Sequence, residues 1–298
     1  MKKIATIISL VTILISIHAT AQIVPNGTME SWNNVGGLYE EPASWTSPNE
    51  LTFLYFTPCT KDTDAVDGQY AARLQSYFLQ PFSLNVPGAI GTGLIDATTQ
   101  SFTGGFPLNG NNPAALIGYF KYAPVGSDSA LIFSALFKWN TSTNKRDTLA
   151  IAYLTEGNTP NYTQFVAPFF VLNPTETPDS AIVIIATAKD VTSAQVGSVM
   201  YVDDIDMTNT VGVNDVKPQE LSLYPNPADE TVEMNIPGAL DAQNMVITNI
   251  SGTTAKQFRI SSGNLKVNTK SFATGTYVCF VKNGQGKVVA SGKITVQH

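Results

Sequence analysis

Ser129-Ala130-Leu131-Ile132-Phe133-Ser134-Ala135-Leu136-Phe137-Lys138-Trp139 carries the residue types of a β-strand. Successive strand side chains point to opposite faces, so Leu131, Phe133, Ala135, Phe137 and Trp139 share one side and Ile132, Ser134, Leu136 and Lys138 the other. The first set is expected to pack against a second sheet, with Trp139 buried among it. Similar short segments occur at Leu51 to Thr57, Tyr70 to Tyr77, Ala114 to Tyr122, Thr148 to Leu154, Thr163 to Val171, Ser180 to Ala188 and Val199 to Met207. Gly, Pro, Asn and Asp separate them, and no helical period lasts beyond two turns. The count and spacing predict an all-β protein, an antiparallel β-sandwich, with the Gly- and Pro-rich stretch Asn85 to Asn112 forming loops at one end.

A second β pattern follows a polar hinge. Its candidate strands are Leu221 to Tyr224, Thr231 to Asn235, Asn244 to Asn249, Lys256 to Ile260, Leu265 to Asn268, Gly275 to Lys282 and Lys287 to Val296. The last two are predicted to pair through Asn283-Gly284-Gln285-Gly286, because Asn and Gly tolerate the positive φ of tight turns. A small Ig-like sandwich fits this segment. The expected organisation is a signal peptide over 1–21, a large sandwich over 22–208, a linker over 209–218 and the small sandwich over 219–298.

Lys2 and Lys3 precede an apolar run from Ile4 to Ile17 and the small-residue segment Ala19-Thr20-Ala21, the pattern of a cleaved secretory signal. The run is shorter than the roughly 18 apolar residues of a membrane span. No transmembrane segment is expected in the mature chain.

Residues 22–210 hold seven Lys or Arg against seventeen Asp or Glu, whereas residues 211–298 hold eight against six. The acidic first part disfavours nucleic acid as a partner. Cys59 and Cys279 fall in different modules, so both are expected unpaired and buried. His18 lies in the signal segment and His298 ends the chain, leaving the large module without histidine. Ser-His-Asp, Cys-His and His-rich zinc chemistry are thereby excluded for it. A carboxylate pair acting on a glycosidic bond passes this test.

Tyr224-Pro225-Asn226-Pro227, Asn249-Ile250-Ser251-Gly252, Gly275-Thr276-Tyr277-Val278 and Gly292-Lys293-Ile294-Thr295-Val296 occur in fixed order near the C-terminus. This segment resembles the type A sorting domain of the Bacteroidetes type IX secretion system. The resemblance implies export by the type IX machinery to the cell surface or medium, with Tyr224, Pro225, Asn226, Pro227, Gly275, Tyr277 and Lys293 in the sorting signal.

In the large module, Asn26-Gly27-Thr28-Met29-Glu30-Ser31-Trp32 opens the sequence, Asp67-Gly68-Gln69-Tyr70 precedes a long strand and Tyr201-Val202-Asp203-Asp204 closes it. These resemble galactose-binding-like jelly rolls. Pro87-Gly88-Ala89-Ile90, Gly118-Tyr119-Phe120-Lys121-Tyr122, Lys138-Trp139-Asn140 and Pro178-Asp179-Ser180-Ala181 carry a closer similarity, to a carbohydrate metabolism domain of secreted Bacteroidetes proteins. The resemblance implies a structural Ca2+ held by Glu30 and one or both of Asp203 and Asp204, helped by backbone carbonyls near Asp67 and Gly68. Against this stands parity, since adjacent strand residues point apart and Asp203 and Asp204 reach one ion only through a bulge. It also implies sugar contacts, for which Tyr119, Lys121, Tyr122, Trp139, Asn140 and Arg73 are the candidates. Arg73 could clamp a sugar carboxylate or pair with a nearby acid.

The sequence therefore predicts a secreted, non-catalytic carbohydrate-binding jelly roll with polysaccharide or surface lipopolysaccharide as partner. A carboxylate-dependent glycan hydrolase or lyase and a structural surface protein are the alternatives.

Overall fold

A computed structural model describes residues 23–96, 101–189, 194–209, 218–250, 252–260, 263–284, 286 and 288–298. The expected signal peptide and most of the expected linker lie outside the described residues. The protein is all-β, built as two sandwiches in series.

The first sandwich pairs two antiparallel sheets. One, here the open sheet, has the order Thr159–Pro168, Ala115–Ala123, Val199–Thr208, Ala71–Gln75, Cys59–Asp62. The other, here the covered sheet, has the order Phe106–Pro107, Ser180–Ala186, Ala130–Asn140, Lys145–Glu156, Phe170–Val171. Neighbours in space are mostly distant in sequence, the crossing pattern of a jelly roll. Between the sheets Leu74, Leu116, Phe120, Met200 and Val202 meet Ile132, Leu136, Val183 and Ile185. Trp45, at 4% exposure, closes one end of this core and donates its indole N–H to the Pro25 carbonyl at 3.0 Å.

The face expected inward for Ala130–Asn140 is the wrong one. Ile132 and Leu136 enter the sandwich core, with Ser134 donating its hydroxyl to the Ile182 carbonyl at 2.7 Å. Leu131, Phe133 and Ala135 face away from it and are buried by the second sandwich. A register shift between Leu136 and Phe137 breaks the simple alternation, and Trp139 emerges 46% exposed.

The segment expected as a strand at 51–57 begins instead as a short helix, Asn49–Thr52. Helical bonds run from Phe53 N–H to Asn49 O and from Phe56 N–H to Thr52 O. The wholly buried Asn49 amide exchanges hydrogen bonds with both backbone groups of Cys59, fixing the turn against the sheet edge. Asn85 to Asn112 is more structured than expected. It contributes Ala89–Gly91 and Phe106–Pro107 to the covered sheet, and the short strand Leu94–Asp96. Both cysteines are free and buried.

The second sandwich packs a five-stranded sheet, Gln219–Glu220, Val288–Val296, Gly275–Asn283, Ala242–Asn249, Thr254–Arg259, on a three-stranded one, Leu223–Tyr224, Thr231–Ile236, Gly263–Asn268. Its core gathers Val232, Met234, Met245, Ile247, Val267, Val281 and Ile294. The hairpin read at 283–286 is formed, with Gly286 N–H bonded to Asn283 O and Gly286 at φ +80°. Among the described residues no helix is long and apolar enough to cross a membrane.

Candidate functional site

Alternation along four neighbouring strands of the open sheet turns a row of polar and aromatic side chains away from the core. Lys121 stands opposite Tyr201, Tyr201 opposite Arg73, and Arg73 opposite Thr60. At strand spacings of about 4.8 Å this row spans about 14 Å. The neighbours of each member, Phe120 and Tyr122, Met200 and Val202, Ala72 and Leu74, fill the core behind it. Lys121 Nζ lies 4.1 Å from the Tyr201 ring centroid and 5.0 Å from that of Tyr162, while Arg73 lies 6.0 Å from the Tyr201 ring. Lys121 and Arg73 come from the strands flanking Val199–Thr208, so cations bracket the Tyr201 ring from both sides.

The row continues along one edge. Arg73, Gln75 and Tyr77 share parity, and the Gln75 side-chain oxygen accepts from Arg73 at 2.6 Å and from the Tyr77 hydroxyl at 3.1 Å. Tyr77 in turn stacks on Phe56, with centroids 4.7 Å apart and planes 16° apart. Tyr119 belongs to the same face, opposite Gln164.

One loop walls this surface. Residues 63–70 join Cys59–Asp62 to Ala71–Gln75 and fold back over the open sheet. Asp64 forms an ion pair with Lys121, and its carbonyl accepts the Tyr162 hydroxyl. Burial, then the nearby Asp64 and Asp203 carboxylates, push the Tyr162 phenol well up. Asp203, 1% exposed, accepts from the amides of Val66 at 2.8 Å, Asp67 at 3.3 Å and Asp204 at 2.7 Å. Its carboxyl is raised all the same, because desolvation outweighs those amides. Glu30 accepts from Gln69 at 2.8 Å and Tyr70 at 3.0 Å. Gly68, at φ +68°, passes so close that a Cβ there would lie 2.2 Å from Glu30 Oε1.

These contacts bear directly on the expected calcium site. Glu30, Asp67, Asp203 and Asp204 do converge on one loop, and their oxygens are the donors calcium takes. Two of the four carboxylates, however, already hold backbone amides. Asp204, at φ +49°, is raised by desolvation and by Asp67 and Asp206. Among the described residues no three His, Cys, Asp or Glu side chains are grouped so as to hold a metal ion.

Of the six expected sugar contacts, Tyr119, Lys121 and Arg73 lie on this face. Tyr122 does not: it is 1% exposed and donates its hydroxyl to the Thr187 carbonyl at 2.5 Å, inside the core. Adjacent strand residues cannot share a face, so Lys121 outward places Tyr122 inward. Trp139 and Asn140 lie at the far end of a covered-sheet strand. There the Trp139 amide donates to Asp179 at 2.8 Å, and Asn140 caps the turn at Ser142 and Thr143 and donates to Asp147. Tyr201, Tyr162, Gln75, Tyr77 and Phe56 were not among the expected residues. Shared parity along Arg73, Gln75 and Tyr77 was the one signal in the sequence that could have found part of them.

The residues expected in a sorting signal lie in the second sandwich. Tyr224 is 80% exposed beside two cis X–Pro bonds, at Pro225 and Pro227. Asn226 donates to the Lys293 carbonyl at 2.7 Å and accepts from the Thr295 amide at 2.8 Å, tying the motif to the last strand. Tyr277, 7% exposed, packs on Phe272 and donates to the Ala273 carbonyl at 2.9 Å, just before Gly275 opens its strand.

No curated protein matches the chain significantly. An arabinose-bound α-L-arabinofuranosidase aligns at 12% identity and TM-score 0.35 over 63% of this chain, which spans 26% of that one. The C-terminal family 22 carbohydrate-binding module of Clostridium thermocellum Xyn10B aligns at 16% identity and TM-score 0.28, over 63% of this chain and 99% of that one. The xylan-binding domain CBM22-2 of Paenibacillus barcinonensis Xyn10C aligns at 10% identity and TM-score 0.28, over 57% and 94%. Residues 222–297 match the family of secretion system C-terminal sorting domains, which identifies the second sandwich as a sorting domain.

Proposed function

We propose that the protein is a non-catalytic carbohydrate-binding module over 22–208, joined by a linker over 209–218 to the sorting module over 219–298. Polysaccharide would lie along the row Lys121, Tyr201, Arg73, Gln75 and Tyr77. The supporting observation is the run of cations, phenols and an amide, delivered by separate strands to one outward face and ending on the stacked Tyr77 and Phe56 rings. Sugars present hydroxyls to such donors and apolar C–H faces to such rings. Tyr201, bracketed by cations, serves through its hydroxyl; Tyr77 and Phe56 supply the stacking edge.

The enzyme alternative needs a carboxyl group that reaches the substrate. Asp64, the acid that meets the row, is ion-paired with Lys121, and Asp203, two residues along the strand from Tyr201, is roofed by the 63–70 loop and engaged by three amides, which favours binding over turnover. Arg73→Ala and Tyr77→Ala are expected to weaken retention on a glycan array or in affinity electrophoresis by about tenfold each, with melting temperature unchanged. Full retention in both variants removes this face as the site. Release of reducing ends by the wild type makes the protein an enzyme, and absence of both signals leaves a structural surface role.

Delivery to the surface or medium, with attachment to lipopolysaccharide as one end state, is tested by removing residues 218–298. The shortened protein is expected to vanish from both the cell surface and the medium. Undiminished appearance there overturns the role of the second sandwich in export.

Calcium belongs to this proposal as well. Glu30, Asp67, Asp203 and Asp204 would have to draw together from their present positions to hold it, adding a bond between the first and last segments of the large sandwich.

A further inference from the structure

Strand Ala130–Asn140 is apolar on both faces: Ile132 and Leu136 on one, Leu131, Phe133 and Ala135 on the other. A surface strand of an antiparallel sandwich needs only one apolar face, and its outer side is ordinarily polar. The neighbouring strands repeat the anomaly. Ile151 and Tyr153 lie beside Ala135 and Phe133 on one flank, Ile182 and Ile184 beside them on the other. The sorting sandwich has the matching peculiarity in its five-stranded sheet. Met245, Ile247, Cys279 and Val281 fill its own core, while Val246, Val278 and Phe280, of opposite parity, face outward. Two sheets that each carry a surplus apolar face are each other's cover.

The contacts bear the marks of a fitted interface. Phe280 stacks on Tyr153 at 5.1 Å with planes 11° apart. Gly252 lies against Phe133 so closely that a Cβ would come within 2.9 Å of the ring. Lys282, 4% exposed, donates to the Thr155 hydroxyl and sits 5.4 Å from the Tyr153 ring centroid. Desolvation draws its pKa down to about 8, opposed by Glu156 and assisted by Lys189. At the rim Lys189 donates to Gln257 at 2.6 Å. A cavity of about 270 Å³ along the seam is lined from both sides, by Tyr153, Glu156 and Phe170 and by Phe280 and Val288.

We propose that the outer face of the covered sheet is a receptor surface whose partner is the sorting sandwich of the same chain. The two halves are then held by this face and not by the linker alone. The site of carbohydrate binding argued above lies on the opposite sheet, so neither proposal depends on the other.

The test inserts a specific protease site between residues 210 and 217 of the full chain, cleaves the folded protein and runs the product by gel filtration. The fragments are expected to co-elute, and Phe280→Asp is expected to release them. Separation of the fragments without that substitution overturns the proposal, as does co-elution that Phe280→Asp leaves intact. Should Phe280→Asp fail to fold, a double-mutant cycle of Tyr153→Ala and Phe280→Ala in the uncut chain replaces it. Coupling of about two- to tenfold in the unfolding equilibrium constant is expected. Strict additivity overturns the proposal.

Discussion

Asp203→Ala is expected to lower the unfolding free energy by about 3–5 kcal/mol, since each buried donor left without its partner costs about 1–3 kcal/mol. Three backbone amides lose their acceptor at once, two of them in the 63–70 loop. Water cannot easily take over, because the side chain it would replace is 1% exposed. Asp203→Asn, which keeps one carbonyl oxygen, is expected to lose about half as much. Urea titration of the three proteins reads the difference, and a loss below about 1 kcal/mol for the alanine variant would show that Asp203 does not hold the loop. The same titration decides the calcium proposal. Stabilisation of the wild type by added calcium, absent from Asp203→Ala, supports a bound ion; identical wild-type curves in calcium and in chelator remove it.

The second large effect is expected at Glu41. This carboxylate, 7% exposed, accepts from the Ser47 amide and hydroxyl and from Asn49, yet burial lifts its pKa from 4.5 to about 7. Between those two values the folded protein binds more protons than the unfolded chain, so stability falls as pH rises through that window. The contribution is complete below about pH 4.5 and gone above about pH 7, amounting to about 3 kcal/mol at 1.36 kcal/mol per unit. Other carboxylates superimpose their own titrations, so the informative quantity is wild type minus Glu41→Gln. That difference is expected to shift by about 3 kcal/mol in favour of the wild type between pH 7.5 and pH 4.5. Parallel stability curves for the two proteins would show that Glu41 titrates normally.

Most strands of both sandwiches were readable because period-two alternation and Gly, Pro, Asn and Asp breaks are local signals. The helix at Asn49–Thr52 was missed because Leu51, Thr52 and Phe53 have strand-like side chains. What overrides them is the Asn49 amide, which takes the place of a strand partner for Cys59. The inward face of Ala130–Asn140 was misread for a different reason. Both of its faces are apolar, and alternation separates the faces without saying which neighbour covers each. The candidate site was legible only in part. Tyr201 and Tyr162 are ordinary strand tyrosines until the sheet order brings Val199–Thr208 and Thr159–Pro168 to either side of Lys121. The calcium expectation rested on the right acids, and only three dimensions reveal that amides already engage Glu30 and Asp203.

Val199–Thr208, which leads out of the first sandwich toward the sorting module, is the central strand of the open sheet, paired with Ala115–Ala123 on one edge and Ala71–Gln75 on the other. Traction transmitted backward from the exit route would thus load two ladders together in shear. A chain gripped by its end in this way would share the pull across the sheet before any single pairing yields.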